Sequence, residues 1–428
     1  MHLKQLSLTN FRNYTRLSLD MSQRITILQG ANAEGKTNFL EALYYLAVGK
    51  SPYATSDAQL VHWLAEQDDL PHARIVANLA RGDVEIRIEI TLTQKANGQP
   101  GYRKHIRING IPKRIMDLLG LANIVLFVPR DVAVIDGSPS GRRRYLNSTL
   151  CQIDTQYCRT LMKYNRVLER RNHLLRTLRD RGGRPDQLDF WDQELTQTGS
   201  HVIARRQKVM VDLETLAQPV HLALSGGRER LRLRYVPSFD PHKLEPNGNQ
   251  MSLRSNLAPP ISIPQDPDII RQAFLSFVHA SQQTDIQRGM TLIGPHRDDF
   301  RFFDGQVNLH TYGSRGQQRT AVLALKLAEV ALMTQTTGEQ PILLLDEVMS
   351  ELDIDRRRYL CSQLFQVEQV VITTTDLNAL TPDVLQQAAL YRVSQGRLTQ
   401  GNLERKAVES DGVRLPYLNR SPRSEETI

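Results

Sequence analysis

The chain has 428 residues, more than one hydrophobic core usually holds, so two domains or lobes are expected. Lys and Arg number 54 against 46 Asp and Glu, giving +8 and a pI near 9.4, which favours an anionic partner such as nucleic acid. Cys151, Cys158 and Cys361 have no C-x-x-C spacing and no paired His, so neither a disulfide framework nor a zinc site is suggested. No apolar run approaches the roughly twenty residues of a membrane span, and Met1 to Gln5 does not read as a signal peptide, so a cytoplasmic protein is expected.

Leu3 to Leu8 alternates apolar and polar residues, as a half-buried strand does. Asn10-Phe11-Arg12-Asn13-Tyr14 is a polar-aromatic turn, and Leu17 to Leu19 pairs back as a second strand. Arg12 lies near the expected nucleotide, either on a phosphate or in solvent. The β-branched run Arg24 to Gln29 then ends at Gly30-Ala31-Asn32-Ala33-Glu34-Gly35-Lys36-Thr37, which fits G-x-x-x-x-G-K-[ST] without a mismatch. Asn38 to Leu46 follows with helical apolar spacing. Strand, loop and helix are the context this phosphate loop needs. Gly30 and Gly35 let backbone N–H groups turn inward, and the helix N-terminus faces the same anion. Lys36 is expected on the β- and γ-phosphates of ATP and Thr37 on Mg²⁺.

Three strand-like runs follow the Ser51-Pro52 break: Ala73 to Leu79, Val84 to Leu92 and Tyr102 to Ile108. Asn97-Gly98 and Asn109-Gly110 are hairpin signals between and after them. Together these predict an antiparallel sheet attached to the nucleotide site. Ile124 to Val128 is a buried-strand candidate. Gly137 to Gly141 opens a helix that carries Arg142, Arg143 and Arg144. Three adjacent arginines cannot share one helix face; contact with DNA, phosphate or acidic partners is one reading and a solvated basic turn the other.

Leu161, Tyr164, Leu168, Leu175 and Leu178 form a helical stripe, ended by Gly182-Gly183 and Pro185. Trp191, Leu195, Val202, Val209, Leu213 and Leu216 repeat it, so an antiparallel helical hairpin is expected. Arg166, Arg170, Arg171, Arg176 and Arg179 are placed on its remaining surface. Arg230 to Val236 is an alternating strand, 238–264 a long Pro/Asn/Ser loop, and 268–282 a helix. The chain is thus read as an α/β head, 1–125 and 289–402, with a mixed sheet. A mainly helical lobe is inserted at 126–288, and a disordered tail is expected over 403–428.

Met290 to Ile293 reads as a short strand before Gly294-Pro295-His296-Arg297-Asp298-Asp299. His296 and Arg297 are either functional contacts or members of a salt-bridged turn. Ser314-Arg315-Gly316-Gln317, opening a helix, resembles the signature motif of ABC-type ATPases. Ser314, Gly316 and Gln317 would there bind a γ-phosphate held by another subunit, so ATP would join a symmetric head-to-tail homodimer. Ile342-Leu343-Leu344-Leu345-Asp346-Glu347 is the Walker B arrangement. Asp346 would hold Mg²⁺ through water, and Glu347 would orient or deprotonate the attacking water. Ser350-Glu351-Leu352-Asp353 resembles a D-loop, and Val370 to Thr375 is the next buried strand.

These motifs and their order resemble the RecF family of bacterial DNA replication and repair proteins, ABC-type ATPases related to SMC heads. The resemblance is carried by Asn10–Tyr14, the phosphate loop with Thr37-Asn38, Gly137-Ser138-Pro139 with Arg142–Arg144, and Arg171-Asn172. It continues through Trp191-Asp192, Gly294–Asp299, Gly316–Thr320 and Ser350–Asp353. It implies an ATP-dependent DNA-binding dimer that hydrolyses ATP slowly at single-stranded, gapped or duplex DNA. It further implies action with RecO and RecR to load RecA, and roles in replication restart and the SOS response. Departures are Ala33-Glu34 in place of Gly-Gln, Glu347 where relatives often carry Asp, and Arg315 inside the signature. No switch histidine follows Thr375, and Asp131 is the nearest substitute for a Q-loop glutamine. A transporter ATPase subunit, an SMC-type structural protein and a repair scaffold with little DNA binding are the competing readings. The first is disfavoured by the long insertion, and the second by stripes that cover one hairpin only.

Overall fold

The computed structural model describes residues 1–67, 71–95, 101–243 and 264–401. A central sheet of six strands runs in the order Arg397–Gln400, Ala388–Ser394, Ile25–Gln29, Val370–Thr374, Ile342–Asp346, Ile124–Phe127. Every neighbouring pair is parallel except the terminal Ala388–Ser394/Arg397–Gln400 hairpin, which makes the sheet mixed. Ile342 to Leu345 and Val370 to Ile372 are buried throughout, as strands covered on both faces require. Their side chains alternate between two cores. Ile342 and Leu344 join one core with Phe39, Leu40 and Leu43, whereas Leu343 and Leu345 join the other with Ala321 and Leu325.

The second sheet is antiparallel, in the order Tyr14–Asp20, His2–Phe11, His72–Arg81, Val84–Gln94, Tyr102–Ile108, Ile111–Lys113. Ile86, Ile88, Ile90 and Leu92 point into the core, and Arg87, Glu89 and Thr91 lie on the opposite face. Helix Lys36–Val48 packs between this sheet and the central one. The expected Asn109-Gly110 turn is present, with φ of 50° and 79°, the left-handed pair that a tight hairpin needs.

Four helices, Pro139–Ile153, Thr155–Arg181, Asp189–Leu224 and Pro267–Arg288, build most of the insertion. The stripes Leu161, Tyr164, Leu175, Leu178 and Leu195, Val202, Val209, Leu213 are buried as their spacing demands. The boundary expected at 125/126 falls inside strand Ile124–Phe127 of the central sheet. Strand Leu231–Val236 of the insertion pairs with Asp299–Asp304, which lies beyond the expected boundary at 288/289.

Met290 to Ile293 is not a strand. Side chains replace the ladder there. Asn172 Oδ1 accepts from Thr291 N–H at 2.8 Å and from its hydroxyl at 2.7 Å, and Asp285 Oδ1 accepts from Leu292 N–H at 3.1 Å. Asn97-Gly98, residues 244–263 of the expected loop and the expected tail at 403–428 lie outside the described residues. Among the described residues, no helix is long and apolar enough to cross a membrane.

Candidate functional site

The carboxyl ends of the parallel strands bring the site together, where loops leave a doubly covered sheet. Ile25–Gln29 delivers the phosphate loop, Ile342–Asp346 delivers Asp346 and Glu347, and Val370–Thr374 lies between them. Two glycines are needed at their positions. A Cβ on Gly30 would meet Val393 O at 2.4 Å, and Gly35 has φ +115° with the Asn13 amide 2.5 Å from a Cβ. Ala33 has φ 68°, so an L-residue occupies the left-handed region inside the loop.

The loop is braced from outside. Asn13 Nδ2 donates to Glu34 O (2.9 Å), Tyr14 OH donates to Gly35 O (2.9 Å), and Asn38 Nδ2 donates to Asn13 Oδ1 (2.8 Å). The Glu34 carboxylate accepts from Gln395 N–H. Arg12 holds the fully buried Glu41 in a two-pronged pair at 2.7 and 2.8 Å, so it buttresses the loop's helix rather than reaching towards a phosphate. Asn13 and Tyr14 belong to the expected polar-aromatic turn; their clamp on the loop is a long-range arrangement that local patterning does not carry.

Two contacts join the phosphate loop to the Walker B strand. Thr37 Oγ1 is 2.9 and 3.1 Å from the two oxygens of Asp346. Lys36 Nζ is 2.9 Å from Glu347 Oε1, and it also donates to Gly30 O (2.7 Å) and Ala31 O (2.9 Å). Asp346 is oriented by the Thr373 hydroxyl at 2.7 Å and approached by Tyr53 OH at 3.4 Å. Burial beside Asp346 raises the Tyr53 phenol far above its ordinary range, so it is a neutral donor here. Glu347 has φ 54°, and its Oε2 accepts from Thr375 N–H at 3.2 Å. A small cleft of about 110 Å³ is lined by Asn32, Ala33, Gly35, Lys36, Thr37, Asn38 and Glu347. Thr37, Asp346 and Tyr53 offer only oxygens, a donor set that suits hard Mg²⁺.

Ser314, Gly316 and Gln317 do not line this cleft. They open helix Arg315–Thr337 at an exposed corner. There the Ser314 hydroxyl accepts from Gln317 N–H (3.2 Å) and Gln317 Oε1 accepts from Ser314 N–H (2.9 Å), a reciprocal capping box. Arg315 reaches Asp136 at 2.5 Å, and Arg319 pairs with Glu351 of the D-loop-like segment.

The three adjacent arginines separate as their 100° spacing requires. Arg142 is buried and grips Asp299 at 2.6 and 2.9 Å, with Gly137 O accepting at 2.8 Å, so it is not available to DNA. This corrects its expected role, because its partner lies 157 positions away. Arg143 donates to Asp298 O at 2.7 Å, and Arg144 is exposed. Arg171 also leaves the surface face assigned to it. It is fully buried between Asp192 (2.6 Å) and Asp285 (2.8 Å).

Gly294–Asp299 is a structural hub. His296 Nδ1 lies 2.6 Å from Tyr164 OH and its Nε2 3.1 Å from Thr291 O, so the ring accepts from Tyr164 and donates to Thr291. Burial pushes its pKa down to about 4. Asp298 is buried, accepts from Tyr235 OH (2.7 Å) and Ser238 N–H (2.7 Å), and is raised by desolvation. Asp131 does not line the cleft. It accepts from Val128 N–H at 2.8 Å and faces the buried Lys326 of helix Arg315–Thr337 at 3.6 Å.

A mixed sheet with a phosphate loop, and carboxylates on the next strand but one, is the fold of a P-loop ABC-type ATPase head carrying an inserted helical lobe. The RecF/RecN/SMC N terminal domain model matches residues 2–398. The chain is 39% identical over 412 residues to the DNA replication and repair protein RecF of Chloroflexus aurantiacus, covering 94% of this chain and 100% of that one. It is 41% identical over 412 residues to RecF of Roseiflexus castenholzii, covering 93% and 99%. The solved structure of the recombination mediator protein RecF-ATP in the RecFOR pathway superimposes with a TM-score of 0.79 at 29% identity, covering 94% of this chain and 98% of that one. The chain belongs to the RecF family of DNA replication and repair proteins.

Proposed function

We propose that this protein is an ATP-gated, DNA-binding dimer of recombinational repair and replication in the cytoplasm. It hydrolyses ATP slowly, binds single-stranded, gapped or duplex DNA, and acts with RecO and RecR to assist RecA loading and the SOS response. The observation that carries the reading is the double juxtaposition of Thr37 with Asp346 and Lys36 with Glu347 across two strand ends. The ATP-bound relative of closely similar fold supports it.

In this reading the backbone N–H groups of 30–38 and the Lys36 ammonium hold the β- and γ-phosphates. Thr37 and Asp346 would hold Mg²⁺, which when bound would neutralise charge on the phosphate oxygens. Glu347 moves from Lys36 to the attacking water and orients or deprotonates it. Asp346 keeps its orientation through Thr373. Ser314, Gly316 and Gln317 act on the nucleotide of the partner subunit. Ser314 is exposed and Gly316 and Gln317 are half-buried, away from their own chain's cleft, which supports a site completed by a second copy. The head then takes in strand Ile124–Phe127, which shifts the proposed start of the helical lobe a few residues later.

Sedimentation of the wild type, Lys36→Ala and Ser314→Arg with and without ATP–Mg²⁺ tests this. ATP-dependent dimerisation is expected of the wild type alone. A Ser314→Arg protein that dimerises normally overturns the signature assignment, and DNA binding indifferent to ATP favours the scaffold reading.

A further inference from the structure

The arginine run near residue 143 leaves little free positive charge, yet the chain carries +8. The outward face of the antiparallel sheet carries Arg74, Arg87, Arg103 and Arg107 against Glu85 and Glu89. Strands His72–Arg81, Val84–Gln94 and Tyr102–Ile108 turn alternate residues to that face, half-buried on the first strand and mostly exposed on the third, and Ile111–Lys113 closes the edge. The ladder places Arg74 opposite Thr91, Thr91 opposite His105, Glu89 opposite Arg107 and Thr93 opposite Arg103. A cleft of about 560 Å³ opens on this face, lined by Arg74, Arg103, His105, Arg107 and Lys113, with Glu89 among them. Arg87 is exposed beside it.

Lys104 also lines the cleft, but its ammonium points away. It reaches Gly49 O at 2.5 Å and Asp57 at 3.2 Å and covers the Tyr45 ring at 4.6 Å. The acid of the cleft, Glu89, is already neutralised by Arg74 at 3.0 Å. That hydrogen bond, followed by the fields of Arg74, Arg107 and Arg87, holds its carboxyl below the ordinary range. Arg87, Arg103 and Arg107 have no ion-pair partner within 4.0 Å among the described residues, whereas Lys113, opposite the buried Ile106, projects from the other face.

We propose that this sheet face is a contact surface for the sugar–phosphate backbone of duplex DNA; this deepens the DNA-binding reading above and rests on it. Three features select that occupant. Residues two apart on a strand lie about 6.8 Å apart and neighbouring strands about 4.8 Å apart, so the cations spread over roughly 14 Å along the strands and roughly 10 Å across them, too wide for one small anion. The hydroxyls of Thr91 and Thr93 stand between the cationic rows and can donate to phosphate oxygens. No Phe, Tyr or Trp occupies an outward position on the three strands, Tyr102 packing on the other face, so single-stranded bases have no stacking platform. The surface reads charge rather than sequence.

The test is the double variant Arg103→Glu/Arg107→Glu, titrated by anisotropy with labelled duplex and single-stranded oligonucleotides, ATP–Mg²⁺ present, across a salt series. Duplex affinity is expected to fall at least about tenfold, and the log–log salt slope to flatten by about 1.8, or about 0.9 for each lost phosphate contact. Nucleotide affinity and ATP-dependent dimerisation should be unchanged, which shows the variant is folded. The control Arg166→Glu/Arg176→Glu, on the exposed side of helix Thr155–Arg181, should bind duplex like the wild type. Wild-type duplex affinity in the sheet variant, or an equal loss in the control, overturns the assignment. An equal loss of single-strand affinity overturns the choice of duplex. A wild type that binds no DNA defeats the underlying reading as well, and so distinguishes the two failures.

Discussion

Replacing Glu347 by Gln should tighten nucleotide binding while it removes turnover. Lys36, 5% exposed, gives its charge to Glu347 at 2.9 Å, and phosphate must displace that contact. A hydrogen bond to a charged partner is worth about 1.5–3 kcal/mol net and a neutral one about 1 kcal/mol. The Gln amide oxygen still accepts from the charged Lys36 but brings no counter-charge, so the competing contact moves from the upper to the lower end of the charged range and weakens by about 1–1.5 kcal/mol. Glu347 is only 22% exposed, so solvent screening discounts this little. At 1.4 kcal/mol per tenfold, ADP affinity should rise about five- to tenfold. Loss of a carboxylate beside the phosphates acts in the same direction. Fluorescent ADP with Mg²⁺ is the ligand to titrate, because it engages Lys36 without the γ-phosphate that joins two subunits. Turnover should fall by about a hundredfold or more, as loss of a general base does. Unchanged or weaker ADP binding in Glu347→Gln, with Lys36→Ala still defective, would refute the idea that the two compete.

Arg171→Met strands Asp192 and Asp285 without a cation in the core, so a loss of about 3–5 kcal/mol is expected from urea unfolding. Ala33→Gly should retain nucleotide binding or improve it, since φ 68° costs an L-residue about 1–2 kcal/mol. Ala33→Val, whose branched Cβ resists that region, should weaken fluorescent-ADP binding about tenfold. His296 is held near pKa 4 against about 6.5 in an unfolded chain, so the unfolded state binds more protons between these values. Its share of stability is therefore complete above about pH 6.5 and lost as pH falls towards 4, at up to about 1.4 kcal/mol per pH unit. Asp298 and Asp285, raised by burial, act in the opposite sense. The measurement is thus the difference between wild type and His296→Asn in urea midpoints across that window. A difference flat with pH refutes the assignment.

The phosphate loop and the Walker B strand were legible because their chemistry is local. A glycine-rich turn announces its backbone, and an apolar run ending in two acids announces a buried strand with a polar exit. The pairings that misled were non-local. Arg142 looks like any surface arginine until Asp299 arrives across the fold. Arg171 did carry a signal. It falls on the apolar stripe between Leu168 and Leu175, at the three- and four-residue spacing of Tyr164, Leu168, Leu175 and Leu178, and a charge on a buried stripe must bring its own partners. Met290 to Ile293 was misread because four mostly apolar residues fit a strand, whereas Asn172 and Asp285 supply the bonds that a ladder would.

The Arg171–Asp192–Asp285 group bears on how this sequence can drift. Each member, changed alone, abandons the others in a medium that tolerates no lone charge, while all three changed together to apolar residues of similar volume can leave a core of equal quality. Single-step wandering is closed at three sites spread over 115 positions, and only a joint move is open. Such a group is inherited whole or lost whole, as a word in the sequence rather than as three letters.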